Sequence, residues 1–548
     1  MAVFLLLLSL AAGCQPRLRP GSVPTATLGA TAVPGSGSTE WWRDAVFYEI
    51  FVRSFYDSNG DGVGDFKGII EKLDYLNDGN PETKDDLGIT GIWLMPIFPS
   101  PSYHGYDVTD FYAVNPQYGT MEDFKLLLRE AHKRGIHVII DMVLNHTSDK
   151  IEWFRSARAD VNSPYRDWYI WRDTDPKYKG PWGERVWHPS PTGYYYGIFE
   201  SFMPDLNYKN PQVTKEMDKV ITFWLKDVGV DGFRLDAVKH LIEEGNKQQN
   251  TVSTHKWLID FRPVYKAARP DALTVGEISG DPPQVISDYT AGNQLDLAFN
   301  FQLAGAFLQS ALTGQASFAA NELKTSSKVL KTASYAPFLT NHDQNRVMSQ
   351  LNGDLNKAKT AASLLLTSPG TPFLYYGEEI GMQGKKPDQD IRLPMQWSGQ
   401  ANAGFTTGRP WRAPTRDFPQ VNVAAQESDP GSLLAHYREL IALRTAHPGL
   451  RSADISLVEA RNPAVFASLR IEGSDRVLVL VNLGEQPVRG YSLSLSGASL
   501  PAGQYAVKAL MGGGEPAPLQ AGASGGFESY APFPELAPYA TYVLQLEK

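Results

Sequence analysis

The stretch "GIHVIIDMVLNH", residues 135–146, decides the fold. Its centre is a near-continuous apolar run, the mark of a strand buried on both faces in a parallel sheet. Just before it, "TMEDFKLLLREAHKRG" (residues 120–135) has helical periodicity. Thr120 can cap that helix, Phe124, Leu127, Leu128 and Ala131 share one face, and Gly135 ends it. Seven more apolar runs of the same kind flank the pair: "AVFYEIFV" and "GITGIWLMP" before it, and "VDGFRLDAV", "ALTVGEI", "LDLAFNF", "ASYAPFLTNHD" and "TPFLYYGEE" after it. Eight strands alternating with helices predict an α/β fold, a (β/α)8 TIM barrel.

The repeat is interrupted once. Between the third and fourth strands lie "PYRDWYIWRD" and "GPWGERVWHPSPTGYYYGIF", which predict an inserted domain over residues 145–212 that overhangs the barrel top. The barrel is then 40–144 plus 213–451. Beyond residue 452 helical patterns vanish, and short apolar segments from "ISLVEA" to "ATYVLQLEK" predict a C-terminal antiparallel β-sandwich over 452–548.

The first residues have a different character. "MAVFLLLLSLAAGC", 1–14, is an apolar run too short to span a bilayer comfortably. It resembles a bacterial lipoprotein signal, cleaved before Cys14 with lipid on the thiol; the alternative is an ordinary secretory signal. Both predict export, the first as a protein lipid-anchored to the membrane and facing outward. Residues 15–39 are Pro, Gly, Ser, Thr and Ala-rich, a flexible tether. Cys14 is the single cysteine, so no internal disulfide forms.

With 548 residues and a net charge of −9 spread among interspersed signs, the chain has no basic footprint for nucleic acid. Aromatic residues reach 11%; most pack in cores, but aromatic faces also stack on sugar rings, which adds carbohydrate to the candidate partners. A monomer is expected.

Chemistry in a barrel of this kind belongs at the carboxyl ends of the strands. Strand three ends in Asp141, Asn145 and His146; strand four in Arg234 and Asp236, two apart and so on one face; strand five in Glu277; strand seven in His342 and Asp343. Two opposed carboxyl groups can cleave a glycosidic bond by double displacement. Asp236 suits the nucleophile, because Arg234 favours its ionised form. Glu277, among anions and apolar walls, suits the acid/base, with a raised pKa. That requires the two carboxylates to face each other about 5 Å apart.

A second acidic feature, "DSNGDGVGD" (57–65), spaces Asp57, Asn59, Asp61 and Asp65 two residues apart or four. The first half matches an EF-hand loop, but the position of the bidentate Glu is Gly68. "AVFYEIFVRSFY" before it reads as a strand, not an entering helix. A solvated turn and a metal clip inside a larger fold both remain.

"DMVLNH", "GFRLDAVKH", the "GE" of strand five and "TNHD" together resemble the ordered sequence regions of the α-amylase family of glycoside hydrolases. "MPDLN" (203–207) resembles its fifth region, "YHGYD" (103–107) its substrate-stacking segment, and "DIRLPMQW" (390–397) a segment of exo-acting α-glucosidases. The resemblance covers residue 40 to the end. It implies a retaining hydrolase with Asp236 as nucleophile, Glu277 as acid/base and Asp343 as transition-state stabiliser. His104, His146, His342 and Arg234 would surround the sugar, Tyr106 would stack under it, and Asp107 and Arg392 would hold the terminal ring. Lys239 and His240 would touch the leaving-group side, which favours α-1,4 bonds in starch and maltodextrins over isomaltose-type bonds. The alternatives are an exo-acting α-glucosidase or cyclomaltodextrinase, and a non-catalytic sugar-binding surface protein. The resemblance also implies calcium (or magnesium) in the acidic loop, held by Asp57, Asn59, Asp61, Asp65 and the carbonyl of Val63. A second calcium would use Asn145, Asp205 and the carbonyl of His240.

Overall fold

Side chains along each apolar run alternate between two cores, and that alternation builds the barrel. The computed structural model describes residues 39–330, 334–497 and 500–548; the signal, Cys14 and residues 15–38 of the tether lie outside the described residues. The strands are β1 (Phe47–Ile50), β2 (Gly91–Leu94), β3 (His137–Met142), β4 (Gly232–Leu235), β5 (Leu273–Gly276), β6 (Leu297–Phe299), β7 (Tyr335–Ala336) and β8 (Phe373–Tyr375). They pair in parallel in the order β7-β6-β5-β4-β3-β2-β1-β8, and a parallel bridge between Phe338 and Phe373 closes the ring. Tyr48, Ile92, Val138, Ile140 and Phe233 face the surrounding helices. Phe47, Trp93, Ile139, Leu273, Val275, Leu297, Phe299 and Phe373 fill the interior, and Trp41 and Trp42 join them from the amino-terminal side. A strand with both faces buried has no polar face to show, hence the continuous apolar runs.

The helix at Met121–Lys133 follows its sequence closely. Thr120 and Asp123 form a reciprocal capping box, Phe124, Leu127, Leu128 and Ala131 are buried, and Gly135 takes a φ of 75° after the last turn. The segment "AVFYEIFVRSFY" does not remain a strand, however. β1 stops at Ile50, and Val52–Phe55 is one helical turn that packs Phe55 edge-on against Trp397 at 5.1 Å. Apolar alternation could not show that bend.

Between β3 and β4 the chain forms a helix, Glu152–Ala159, and a three-stranded antiparallel sheet of Trp171–Arg172, Gly193–Tyr196 and Trp187–Ser190, with Gly193–Tyr196 central. The next helix, Pro211–Thr222, is capped by Asn210, widens into a π-turn over Phe223–Val228 and ends at Gly229. In the C-terminal region Val465–Glu472, Asp475–Asn482, Gly503–Met511 and Thr541–Glu547 lie in a six-stranded sheet. Its two faces serve different cores: Phe466, Val477, Val479 and Val481 pack on the barrel body, while Val465, Leu478 and Leu480 pack within the terminal domain. Short strands at Val488–Arg489, Leu519–Ala521 and Phe527–Tyr530 were not legible as apolar runs, since each carries exposed residues among its buried ones.

Candidate active site

The inward-facing positions that are apolar low in the barrel become charged at its carboxyl end. Glu49 follows Phe47 by two residues, Asp141 follows Ile139, and Glu277 follows Val275; Arg234 and Asp236 continue the inward row of β4. Asp141 and Arg234 are direct partners in the β3–β4 register, so a period of two stacks one charge against the other.

Arg234 is the centre of the cluster. It is fully buried, and its Nη1 donates to Asp141 Oδ1 at 2.9 Å and Asp236 Oδ1 at 2.5 Å, while its Nη2 donates to Glu277 Oε2 at 2.7 Å. A single guanidinium fork therefore carries both Asp236 and Glu277. Ala237, at a left-handed φ of 47°, adds its backbone N–H to Glu277 Oε2 at 3.2 Å. That backbone conformation is unfavourable for a residue with a side chain, and it aims the amide at the carboxylate. Among the described residues Asp236 Oδ2 and Glu277 Oε1 accept no hydrogen bond, and both residues line the cleft.

His342 ties the opposite wall. Its Nδ1 meets Glu49 Oε1 at 2.5 Å, and its Nε2 lies 2.7 Å from the Tyr106 hydroxyl and 3.1 Å from Asp343 Oδ2. Arg392 Nη2 donates to Asp343 Oδ1 at 2.8 Å and to Asp388 Oδ2 at 3.2 Å. The Asp343 side chain is still 43% exposed, so it reaches into the cleft despite these partners.

The electrostatics separate the acids. Burial raises the Glu277 pKa, with Arg234 opposing and Asp236 and Asp343 reinforcing the rise. Burial also raises Asp236, again against Arg234. Asp141 is pushed up to about 7 by burial. For Asp343 burial acts upward, but His342 and then Arg392 hold it well below the usual carboxylate range. His342 itself rises to about 10: burial works against its charge, and Asp343 and Glu49 prevail. His146 and His240 fall to about 3 and about 4 through burial and are neutral. Five carboxyl groups (Glu49, Asp141, Asp236, Glu277 and Asp343) thus face three cations (Arg234, His342 and Arg392), a balance that favours retention of protons within the cluster.

The cleft, about 290 Å³, is lined by His104, Tyr106, His146, Asp236, Lys239, His240, Glu277, Asp343 and Arg392, all expected from the sequence. Three expected contacts are placed otherwise. Arg234 and His342 are each 0% exposed, and the groups they hold here are the carboxylates. Asp107 is buried and accepts from Ser100 Oγ at 2.6 Å and from Ser102; Arg392 has Asp388 as its neighbour instead. Residues that the sequence reading left out of the site are Glu49, Asp388, Trp182, Phe199 and Met203. A lone acid in the apolar run of β1 was the available signal for Glu49.

The acidic loop is wound by its own side chains. Asp57 accepts from the amides of Asn59, Gly60 and Gly62, Asn59 from Asp61, and Asp61 from Val63; Asp65 caps the helix Phe66–Glu71. No Lys, Arg or His pairs with Asp57, Asp61 or Asp65 among the described residues, and none of them lines the cleft. Elsewhere, Asn145 Nδ2 donates to Asp205 Oδ2 at 3.1 Å, while the buried Asn145 Oδ1 and Glu243 Oε1 have no hydrogen-bond partner among the described residues. Burial, reinforced by Glu243, pushes the Asp205 pKa well up.

Comparison with known proteins places this geometry among relatives. The family model described as the alpha amylase catalytic domain matches residues 49–453. Alpha-amylase 3 of Dictyoglomus thermophilum is 42% identical over 450 residues, covering 81% of this chain and 85% of that protein. An oligo-1,6-glucosidase of Parageobacillus thermoglucosidasius is 34% identical, over 81% of this chain and 91% of its own length. The trehalose synthase/amylase TreS of Mycolicibacterium smegmatis is 37% identical, covering 79% and 81%. The crystal structure of an alpha-amylase from H. orenii superposes with a TM-score of 0.80 at 43% identity, over 92% of this chain and 99% of that one.

Proposed function

The chain belongs to the α-amylase family of glycoside hydrolases, and within it we propose a retaining hydrolase that cleaves α-1,4-glucosidic bonds in starch and maltodextrins. The observation that carries the reading is the Arg234 fork, which binds one oxygen of Asp236 and one of Glu277 where both residues line the cleft, and so leaves the other oxygen of each free to react. Asp236 Oδ2 attacks the anomeric carbon as the glycosidic C–O bond breaks, and protonated Glu277 gives its proton to the departing oxygen. Glu277 then takes a proton from water, whose oxygen displaces Asp236 and restores the free carboxylate. Asp343, kept ionised by His342 and Arg392, accepts hydrogen bonds from sugar hydroxyls as the ring flattens.

One feature favours the second reading, an exo-acting enzyme on short oligosaccharides: Arg392, bridging Asp343 and Asp388, lines the cleft and narrows it beside Asp343. The products formed over time from amylose and from maltotriose to maltoheptaose separate the two. Long intermediates appearing first support endo attack on starch; glucose or maltose alone from the start supports exo action.

The same proposal includes calcium in the loop of Asp57, Asn59, Asp61, Val63 and Asp65. Three carboxylates without a basic partner and an all-oxygen donor set suit a hard cation, which would clip the loop and supply no chemistry to the cleft. A second calcium at Asn145, Asp205 and the His240 carbonyl, with Glu243 beside them, is supported by the orphaned Asn145 Oδ1 and by two buried acids, Asp205 and Glu243, that have no ion-pair partner among the described residues. Lipid-anchored export rests on the sequence of residues 1–39 alone. Palmitate labelling that is lost in Cys14→Ser supports it, and unlabelled secreted protein contradicts it.

A further inference from the structure

We infer that Trp182 is the stacking platform for the glucose unit on the leaving-group side of the scissile bond, and that it sets the preference for chain substrates. The inference rests on the α-glucan reading above. Trp182 sits at the tip of a tight turn of the inserted domain, where Gly180 N–H donates to the Glu184 carbonyl at 3.0 Å and Lys179 bridges Arg185. Trp182 is 60% exposed, although it lines the same cleft as Asp236 and Glu277. Leaving an indole in water costs free energy that a closely seated apolar face recovers.

The location names that face. The indole lies 5.7 Å from Phe199 at an interplanar angle of 29°, and 5.5 Å from His240. His240 is held through Nδ1 by the Gln248 carbonyl at 2.8 Å, and Lys239 Nζ by the Ser279 carbonyl at 2.6 Å and Asp281 at 2.8 Å. These anchors fix the platform's surroundings beside Glu277, the group that protonates the leaving oxygen. Asp343, Arg392 and Asp388 line the same cleft as a separate ion-paired group, with no contact to Trp182 or Phe199 among the described residues. A sugar seated against Trp182 is therefore the one departing. The fully buried aromatic residues of the site have no such free face.

The test compares maltotriose, which fills the leaving-group side, with α-glucosyl fluoride, whose small leaving group does not. For Trp182→Ala, the ratio of kcat/KM on maltotriose to kcat/KM on the fluoride falls about tenfold relative to wild type. Trp182→Phe restores most of it, and the melting temperature of both variants stays near that of wild type. An unchanged ratio in a folded Trp182→Ala enzyme overturns the inference while leaving the hydrolase reading intact. A wild-type enzyme that turns over neither substrate removes both.

Discussion

Replacing Glu277 by Gln removes one proton donor while sparing the scaffold around it. Glu277 Oε2 accepts from Arg234 Nη2 at 2.7 Å and from Ala237 N at 3.2 Å, and a glutamine carbonyl oxygen can accept both. What changes is the cleft-facing atom, Oε1, which becomes an amide that neither gives nor takes a proton. General acid–base catalysis contributes about 10²–10⁴-fold, so kcat/KM on maltotriose falls within that range with the melting temperature little changed. Fluoride departs without protonation, so the first step on α-glucosyl fluoride is largely spared; azide, which needs no general base, then rescues turnover and yields α-glucosyl azide. The pH profile supplies a second readout. Glu277 must be protonated to act, so wild-type turnover is lost as pH rises through its raised pKa. Asp236 must be ionised, so turnover is also lost as pH falls through its own raised pKa. The variant keeps the acid limb and loses the alkaline one. Wild-type rates on maltotriose from Glu277→Gln, or an unchanged alkaline limb, would refute the assignment.

Three other perturbations follow from the same contacts. Arg234→Lys keeps one positive charge but cannot reach Asp141, Asp236 and Glu277 together. At least one carboxylate is then left buried without a partner, at a cost of about 3–5 kcal/mol, read as a lower denaturation midpoint together with lost activity. Chelation by EDTA lowers the melting temperature of wild type by more than that of Asp57→Ala, whose remaining shift belongs to the second proposed calcium; equal shifts would dismiss the loop as a metal site. Gly62→Ala must hold a φ of 93° and place a Cβ 1.9 Å from the Arg409 carbonyl oxygen; it loses at least about 1–3 kcal/mol, and a melting temperature equal to wild type would contradict the structure of this loop.

The barrel was legible because both faces of its strands are buried, which writes each strand as an apolar run. The carboxylates were legible because they stand two residues beyond inward apolar positions, as Glu277 does beyond Val275. Less could be read of residues whose role depends on loops folding back. Arg392 and Asp388 approach Asp343 from a segment far along the chain, and local pattern says nothing of that approach; resemblance alone pointed to Arg392. Arg234 and His342 were expected at the sugar, and the sequence could not show that both are fully buried and paired with carboxylates. Trp182 escaped notice because an indole in an aromatic-rich insert reads the same whether buried or free. Asp107 shows the converse: the motif was recognised, yet its buried carboxylate already accepts from Ser100 and Ser102.

The central claim is that Asp236 becomes covalently glycosylated during turnover. Incubation with 5-fluoro-α-glucosyl fluoride, which forms the ester readily and releases it slowly, followed by mass spectrometry of the digested protein, tests it directly. The account predicts one fluoroglucosyl adduct on the peptide containing Asp236, absent from Asp236→Asn and released as activity returns. An adduct on another residue, or inhibition without any adduct in an enzyme that turns over maltotriose, would contradict it.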